Sequence, residues 1–291
     1  MLIAIDHGNK QIKTNHRTFT SRFCESVTPP PFGKDVLLYK GKYYTLSDKR
    51  IPYMRDKTSD ERYFILTLFA IAFELKERRH TDETCDIELA VGLPPAHFGT
   101  QYEKFTEYFL HRGIIDFSLD GIKYSINITD ACFPQAYAAT MPIFQQIRNY
   151  PKAIIIDIGG FTADYMIMKN GIPTLSACDS LENGVINLYN GIRSRVSSSY
   201  DLLLEESDID DILQDKPNVY DENIADIVRA QAELFINDLI NKLRELMIDL
   251  RTGKAVFIGG GSILLKKYIE ASDKIGFPIF IEEISANTKG Y

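Results

Sequence analysis

The hydrophobic pattern of this chain repeats at two distant places. Residues 2–9, Leu-Ile-Ala-Ile-Asp-His-Gly-Asn, are an apolar run that meets an aspartate and then a glycine two places on. Residues 153–164, Ala-Ile-Ile-Ile-Asp-Ile-Gly-Gly-Phe-Thr-Ala-Asp, have the same form. A third stretch, Ala-Val-Phe-Ile-Gly-Gly-Gly-Ser at 255–262, lacks only the acid. An apolar run bounded by glycine reads as a buried strand entering a tight turn. Glycines there let backbone N–H groups approach an anion, and an aspartate can hold a cation. Two such turns facing each other would grip a polyphosphate and its magnesium, so nucleotide chemistry is the first hypothesis.

The remaining pattern predicts alternating elements. A strand covers 2–5, and 36–46 forms a hairpin turning at Lys40-Gly41, after a stiff Pro29–Pro31 loop. A helix begins at the Thr58-Ser-Asp-Glu capping box and runs to about Arg79, apolar nearly all round. Strand 86–91 ends at Gly92-Leu-Pro-Pro95; a helix over 99–111, strands over 114–119 and 122–129 and a helix over 134–148 follow. The pattern restarts with strand 153–158, its hairpin partner 163–169, a strand at 173–177 and a helix at 181–196. A long helix over 222–251 carries a core stripe (Ile224, Ile227, Val228, Phe235, Leu239, Leu243, Leu246) and stops at Gly253. Strand 255–258, a helix after Ser262, strand 278–282 and residues 285–291 close the chain. This predicts a duplicated α/β architecture with a nucleotide cleft between halves. The first domain spans 1–148 with the return of 276–291, and the second spans 149–275 with a small acidic subdomain at about 198–226.

Composition narrows the classes. A chain of 291 residues, 45% apolar and 25% charged, suits two soluble globular domains. The start lacks a basic region and meets an acid at position 6, so no secretory leader is expected. The longest strongly apolar stretch, Phe64–Phe73, is too short for a bilayer, so no membrane partner is expected. Cys24, Cys85, Cys132 and Cys178 form no CxxC pair, which favours buried reduced thiols in a cytoplasm over a metal or disulfide framework. A net charge of −7 argues against direct nucleic-acid binding. The charge is uneven: residues 1–57 hold 11 Lys/Arg against 5 Asp/Glu, and residues 200–226 hold 10 Asp/Glu against one Lys. These are either two solvated faces, or basic and acidic ends that stack copies head to tail into a filament.

Five segments in order resemble the motifs of the actin, sugar-kinase and heat-shock-chaperone ATPases. They are Asp6-His-Gly8-Asn9, Asn127–Asp130 with Pro134-Gln135-Ala136, Asp157–Asp164, Gly259–Ser262 and Ser285–Gly290. Gly92-Leu-Pro-Pro95, Asp-x-Gly-Gly-x-Thr-x-Asp and the Asn-x-Lys-Gly ending are most similar to the plasmid-segregation actins of the ParM/StbA group. Those proteins continue into a further helix beyond the last motif, where this chain stops at Tyr291.

The resemblance implies a two-domain actin-like (ribonuclease-H-like) α/β fold that binds ATP or GTP with Mg2+. Asp157 would bind the metal through water and polarise the attacking water, and Asp6 would support the metal from the other half. Gly8, Asn9 and Lys10 would touch phosphate. Gly159 and Gly160 would offer backbone donors to the β- and γ-phosphates, with Phe161 in the same loop, a hydroxyl from Thr162, and Asp164 closing the motif. Gly259, Gly260, Gly261 and Ser262 would receive the adenosine. Glu182, Asn183 and Gly184 would line the base and ribose side, although a helix start explains them equally well. His7 reads as a loop residue rather than a ligand. Gln135 would orient water; a neutral amide cannot be the base a kinase needs, which favours hydrolysis, while nearby Asp130 keeps phosphoryl transfer open.

The expected function is therefore an ATPase that polymerises with ATP, disassembles after hydrolysis and segregates plasmid DNA through a separate DNA-binding adaptor. The alternatives are a sugar-type small-molecule kinase of the same superfamily and a non-segregating scaffold actin.

Overall fold

The computed structural model describes residues 1–47, 54, 56–80, 84–93, 95–110, 112–134, 138–283 and 286–290. The chain divides into two compact units, Met1–Ala139 with Asn287–Tyr291, and Thr140–Ala286.

The first unit opens with strands β1 (Leu2–His7), β2 (Gln11–Lys13), β3 (Thr18–Thr20), β4 (Phe23–Ser26), β5 (Val36–Tyr39) and β6 (Lys42–Leu46). Helix α1 (Arg62–Glu77), β7 (Cys85–Leu93), α2 (Pro95–Phe109), β8 (Ile114–Leu119) and β9 (Ile122–Pro134) follow. The strands make one nine-stranded sheet in the order β3-β2-β1-β7-β9-β8-β5-β6-β4. The β5–β6 hairpin turns at Lys40 (φ 46°) and Gly41 (φ 76°), two left-handed residues whose twist suits a two-residue turn. Every residue of α1 from Tyr63 to Leu75 is buried, in a core that Ile3, Ile5, Leu89 and Val91 of the sheet complete. Its two polar members are satisfied. Thr67 donates to the Tyr63 carbonyl (2.7 Å), and Glu74 accepts from the His16 N–H (3.1 Å) and Arg78 (3.0 Å).

The second unit holds the five-stranded sheet. It contains α3 (Phe144–Ile147), β10 (Lys152–Ile158), β11 (Ala163–Lys169), β12 (Ile172–Leu181), α4 (Val185–Tyr200), α5 (Glu206–Leu213) and α6 (Glu222–Glu245). Then come β13 (Lys254–Ile258), α7 (Gly260–Leu264), α8 (Lys266–Glu270) and β14 (Phe277–Phe280). The strand order is β12-β11-β10-β13-β14. Two antiparallel strands flank a parallel trio, β10, β13 and β14. In the first unit β3 and β2 flank the parallel trio β1, β7 and β9 in the same way. The repeated strand–Asp–x–Gly pattern is thus the opening strand of two copies of one sheet. In the first unit β8, β5, β6 and β4 widen it.

Several elements differ from their predicted bounds, each for a local reason. Helix α1 starts at Arg62, because the Asp56 carboxylate takes the Thr58 N–H (2.9 Å) and hydroxyl (2.6 Å) and makes a turn there in place of the capping box. The predicted helix over 134–148 is split among the described residues, and only its end is α-helical. Strand β9 runs on to Pro134, still paired with Leu93 of β7, and Ala138–Ile143 is a 3-10 turn around Pro142 before α3. Helix α4 begins at Val185 because β12 extends to Leu181. Helix α6 stops at Glu245, where Met247 turns left-handed (φ 62°). Cys24 is exposed rather than buried; Cys85 is buried and Cys178 half-buried, all three as free thiols. No helix among the described residues is long and apolar enough to cross a membrane.

His7 is the last residue of β1, not a loop residue, and is fully buried. Its ring stacks on Phe109 at 5.5 Å and meets Tyr63 and Phe105 edge-on. Because Thr67 spends its hydroxyl proton on Tyr63, it must accept from His7 Nε2 (2.7 Å), which leaves Nδ1 as a bare, buried acceptor. Burial, helped by the nearby Lys57, pushes the His7 pKa well below 6.5. The unfolded chain therefore takes up a proton below about pH 6.5 that the folded chain refuses. Stability contributed by neutral His7 is full above that pH and is lost as pH falls toward the depressed folded value. Denaturant unfolding should show the wild type losing up to about 1.4 kcal/mol per pH unit more than His7→Phe below pH 6.5. Parallel slopes for the two proteins would refute this.

Candidate functional site

The Gly159–Thr162 loop joins β10 to β11, and α4 holds it in place. Three successive loop carbonyls accept from the start of α4. Gly159 takes the Val185 N–H (3.1 Å), Gly160 the Ile186 N–H (2.9 Å) and Phe161 the Gly184 N–H (3.0 Å). No peptide bond among the described residues is cis, so each N–H points opposite to the carbonyl of its own peptide. The N–H groups of Gly160, Phe161 and Thr162 therefore all face away from α4. Among the described residues, those of Gly160 and Thr162 donate no hydrogen bond. Consecutive amides aimed one way form a concave anion cradle. The loop is closed by the Gly159 N–H donating to the Thr162 carbonyl (2.8 Å).

The same contacts give Gly184 a packing role. A Cβ there would collide with the Gly160 carbonyl and the Phe161 backbone, so glycine at 184 is what lets α4 reach the loop. Glu182 is exposed, and its carbonyl accepts from Asn187 (2.9 Å). Asn183 is buried with Lys242 on its carbonyl oxygen (3.4 Å) and its amide nitrogen unpartnered.

Asp157, the last residue but one of β10, lies directly across from Asp164 of β11. Like charges placed opposite disfavour each other. Ser180 of β12 donates its hydroxyl to Asp164, which relieves one of them. The Asp157 carboxylate lies against Gly259 of the third turn, where a Cβ would strike Oδ1, and Gly259 has a φ of 85°. Gly261 packs as closely, since its Cβ would sit 2.6 Å from Ile158 Cγ2 and 2.7 Å from Val185 Cγ1. Gly260 faces open space. The acid, the amide cradle and the glycine triplet, separated in sequence, are thus one contiguous surface at the strand ends. Ser262, behind it, is fully buried with its hydroxyl unpartnered.

In the first unit the β1–β2 turn carries Gly8, Asn9 and Lys10. Gly8 cannot bear a side chain, because a Cβ would lie 2.5 Å from the Gln11 carbonyl oxygen. Ser21 fixes the turn through the Gly8 carbonyl (2.6 Å) and its own N–H to Lys10 O (3.3 Å). Asn9 points its side-chain oxygen inward to the Tyr63 hydroxyl (2.9 Å) and the Met54 N–H (3.1 Å), which leaves its NH2 as its outward donor. Asp6 is buried, with Lys13 at 3.6 Å and the Asn287 amide at 3.5 Å. Gln135 lies outside the described residues; Asp130 sits on β9 opposite Leu89.

The sequence reading missed the groups that hold this machinery: Ser21, Tyr63, Ser180 and Lys13. Only Lys13 had a local signal, since a tight turn after Gly8 puts it across from Asp6. Among the described residues no group of three or more His, Cys, Asp or Glu side chains gathers for a metal.

Residues 32–137 match the family described as actin-like proteins, N-terminal domain, and residues 155–271 match the archaeal MreB-like actin homologues, C-terminal. Both matched families are of actin-like proteins, each over less than half of the chain. Its fold is the two-domain actin-like fold. The archaeal actin homologue Ta0583 is similar over 99% of this chain and 97% of its own, with a TM-score of 0.78 at 18% identity. A subunit of a 15-stranded ParM filament from Clostridium botulinum covers 99% and 97%, with a TM-score of 0.76 at 19% identity. The pSK41 ParM protein covers 99% and 94%, with a TM-score of 0.72 at 16% identity. No curated protein matches by sequence.

The glycine geometry separates structural from open positions in this actin-like site. Gly184→Ala and Gly261→Ala should each cost roughly 1–3 kcal/mol by overpacking, whereas Gly260→Ala should leave stability within about 0.5 kcal/mol. Thermal unfolding of the three variants measures this, and an equal loss in all three would contradict it.

Proposed function

We propose that this protein is an actin-like ATPase that assembles into filaments with ATP and Mg2+, hydrolyses the nucleotide slowly and thereby drives plasmid DNA segregation. The observation that carries this reading is the row of N–H groups at 160–162, aimed away from α4 beside a strand-end aspartate. That arrangement suits a polyphosphate and its cation. One solved form of Ta0583 is a complex with ADP, which supports an adenine nucleotide. The ParM filament supports self-association, and the ParM neighbours support plasmid partition.

In this reading the Gly160 and Thr162 amides hold the β- and γ-phosphate oxygens, and Gly8, Asn9 and Lys10 touch phosphate. Asp157, helped by Asp6, would hold Mg2+, whose role when bound is to neutralise phosphate charge and orient water. Gln135 orients the attacking water, and its neutral amide sets a slow rate that times disassembly. Gly259–Ser262 receives the nucleoside. The net charge of −7 disfavours direct DNA contact, so a separate DNA-binding adaptor joins filament to plasmid.

Light scattering after addition of ATP–Mg2+, with phosphate release followed in parallel, tests the proposal. Scattering should rise above a critical concentration and decay as phosphate appears. Gln135→Ala should slow phosphate release by roughly 10²-fold and prolong the plateau, and Asp157→Ala should remove Mg2+-dependent turnover. Tight ATP binding with no scattering at any concentration would overturn the filament reading.

A further inference from the structure

The parallel strands of the second sheet start at one end, and four turns close that end. They are 148–151 before β10, Asn170-Gly171 between β11 and β12, 246–253 between α6 and β13, and 271–276 before β14. Close backbone approach joins them into one surface. A Cβ on Gly171 would lie 3.0 Å from Arg148 Cβ, one on Gly253 2.7 Å from the Lys152 carbonyl oxygen, and one on Gly276 3.1 Å from Arg251 Cα. The Asn170 N–H donates to the Pro151 carbonyl (3.2 Å), and the Lys152 ammonium donates to the Thr252 hydroxyl (2.9 Å).

Large apolar side chains stand out from these turns. Met247 is 90% exposed, Ile172 70% and Phe277 62%, and Tyr150 and Leu246 are exposed beside them. Strand register sets Ile172 opposite Lys169, Lys169 opposite Lys152, and Lys254 opposite Phe277, with a step of one residue between Lys152 and Lys254. The end of the sheet is thus a row of one apolar residue, three lysines and one apolar residue. The Lys254 ammonium lies 4.6 Å from the Phe277 ring centre and 4.7 Å from that of Tyr150. Arg148, Lys152, Lys169, Arg244 and Lys254 make no ion pair among the described residues. The acids next to them in sequence are Glu245, Asp249 and Asp273, and Asp249 is matched by Arg251 (2.6 Å). This end is cationic in a chain whose net charge is −7.

We infer that this end of the second unit is a peripheral docking face for an anionic lipid bilayer. Apolar side chains on separate turn tips enter the soft acyl boundary without needing a matching groove. The lysines keep their ammonium groups at headgroup depth on long apolar stems, and cations not spent on protein carboxylates are attracted to anionic lipid. A face of this kind lies on the membrane, so it needs no spanning helix, and none is present among the described residues. Nucleic acid could use the same lysines and the rings of Phe277 and Tyr150. It would have no use for Met247, Ile172 and Leu246, which offer no ring for a base to stack on. The inference is independent of nucleotide binding and of filament assembly.

Vesicle flotation of the nucleotide-free protein tests it. The wild type should float with vesicles of phosphatidylglycerol and phosphatidylcholine and stay behind with phosphatidylcholine alone. Lys169→Gln combined with Lys254→Gln should weaken vesicle binding roughly 30-fold, because each cation removed costs about fivefold. Met247→Asp combined with Phe277→Asp should weaken it by about tenfold or more. Both double variants should bind fluorescent ATP as the wild type does, which shows the second unit folded. No flotation with the anionic vesicles, equal flotation with both kinds, or an apolar variant within about twofold of wild type would overturn the inference. A single-stranded oligonucleotide that binds as tightly as the vesicles, and equally to the apolar variant, would give the face to nucleic acid and overturn it. Lipid-free self-association that the apolar variant loses would give the face to a second copy and overturn it too. Since no nucleotide is present, each of these results leaves the ATPase reading where it stands.

Discussion

Three hydrogen bonds from the start of α4 to the carbonyls of Gly159, Gly160 and Phe161 organise the candidate site. They spend donors that would otherwise make α4 itself an anion-binding helix end. In return they turn the loop's own amides outward as a group. This is possible only because position 184 has no side chain, since any Cβ would meet the Gly160 carbonyl. Gly261 then lets the third turn settle on Ile158 and Val185, and Gly259 leaves room for the Asp157 carboxylate. Each glycine serves backbone approach rather than freedom of motion. The cradle is held rigid by packing before any ligand arrives, so binding would cost little ordering of the loop.

The architecture was largely legible in the sequence because duplication left its mark where burial is complete. Residues 3–5 and 153–156 are buried on both faces, so they read as unbroken apolar runs ahead of each aspartate. The Lys40-Gly41 hairpin was legible because its turn demands left-handed residues. What failed was decided by partners remote in sequence. Residues 130–134 belong to β9 because β7 pairs with them as far as Leu93, which no local pattern around Pro134 signals. The start of α1 was lost to a competing Asp56 turn, and the start of α4 to the extra length of β12.

The site shows the same division. Glycines and aspartates at strand ends were legible as phosphate and metal candidates, because close approach and charge at a turn have few other uses. Their supports were not. Asn9 owes its orientation to Tyr63 and Met54, Gly8 owes its position to Ser21, and Asp164 is relieved by Ser180. Hydroxyls and amides of this kind occur throughout the chain, and only the folded geometry selects these. The family match covers both units, so the actin-like class does not depend on any single one of these residues.

Helix α6 ties the candidate site to the core of the second unit. Its Lys242 reaches the Asn183 side chain two residues before α4, at 3.4 Å, and α4 in turn grips the 159–161 carbonyls. Its stripe of Ile224, Val228, Phe235, Leu239 and Leu243 packs in the same core as Ile156, Ile158 and Val185. A helix of 24 residues buried along one side does not bend independently at each end. A shift of the 159–162 loop that moved α4 would therefore reach the whole length of α6 through two hydrogen-bonded steps, from the loop to α4 and from Asn183 to Lys242.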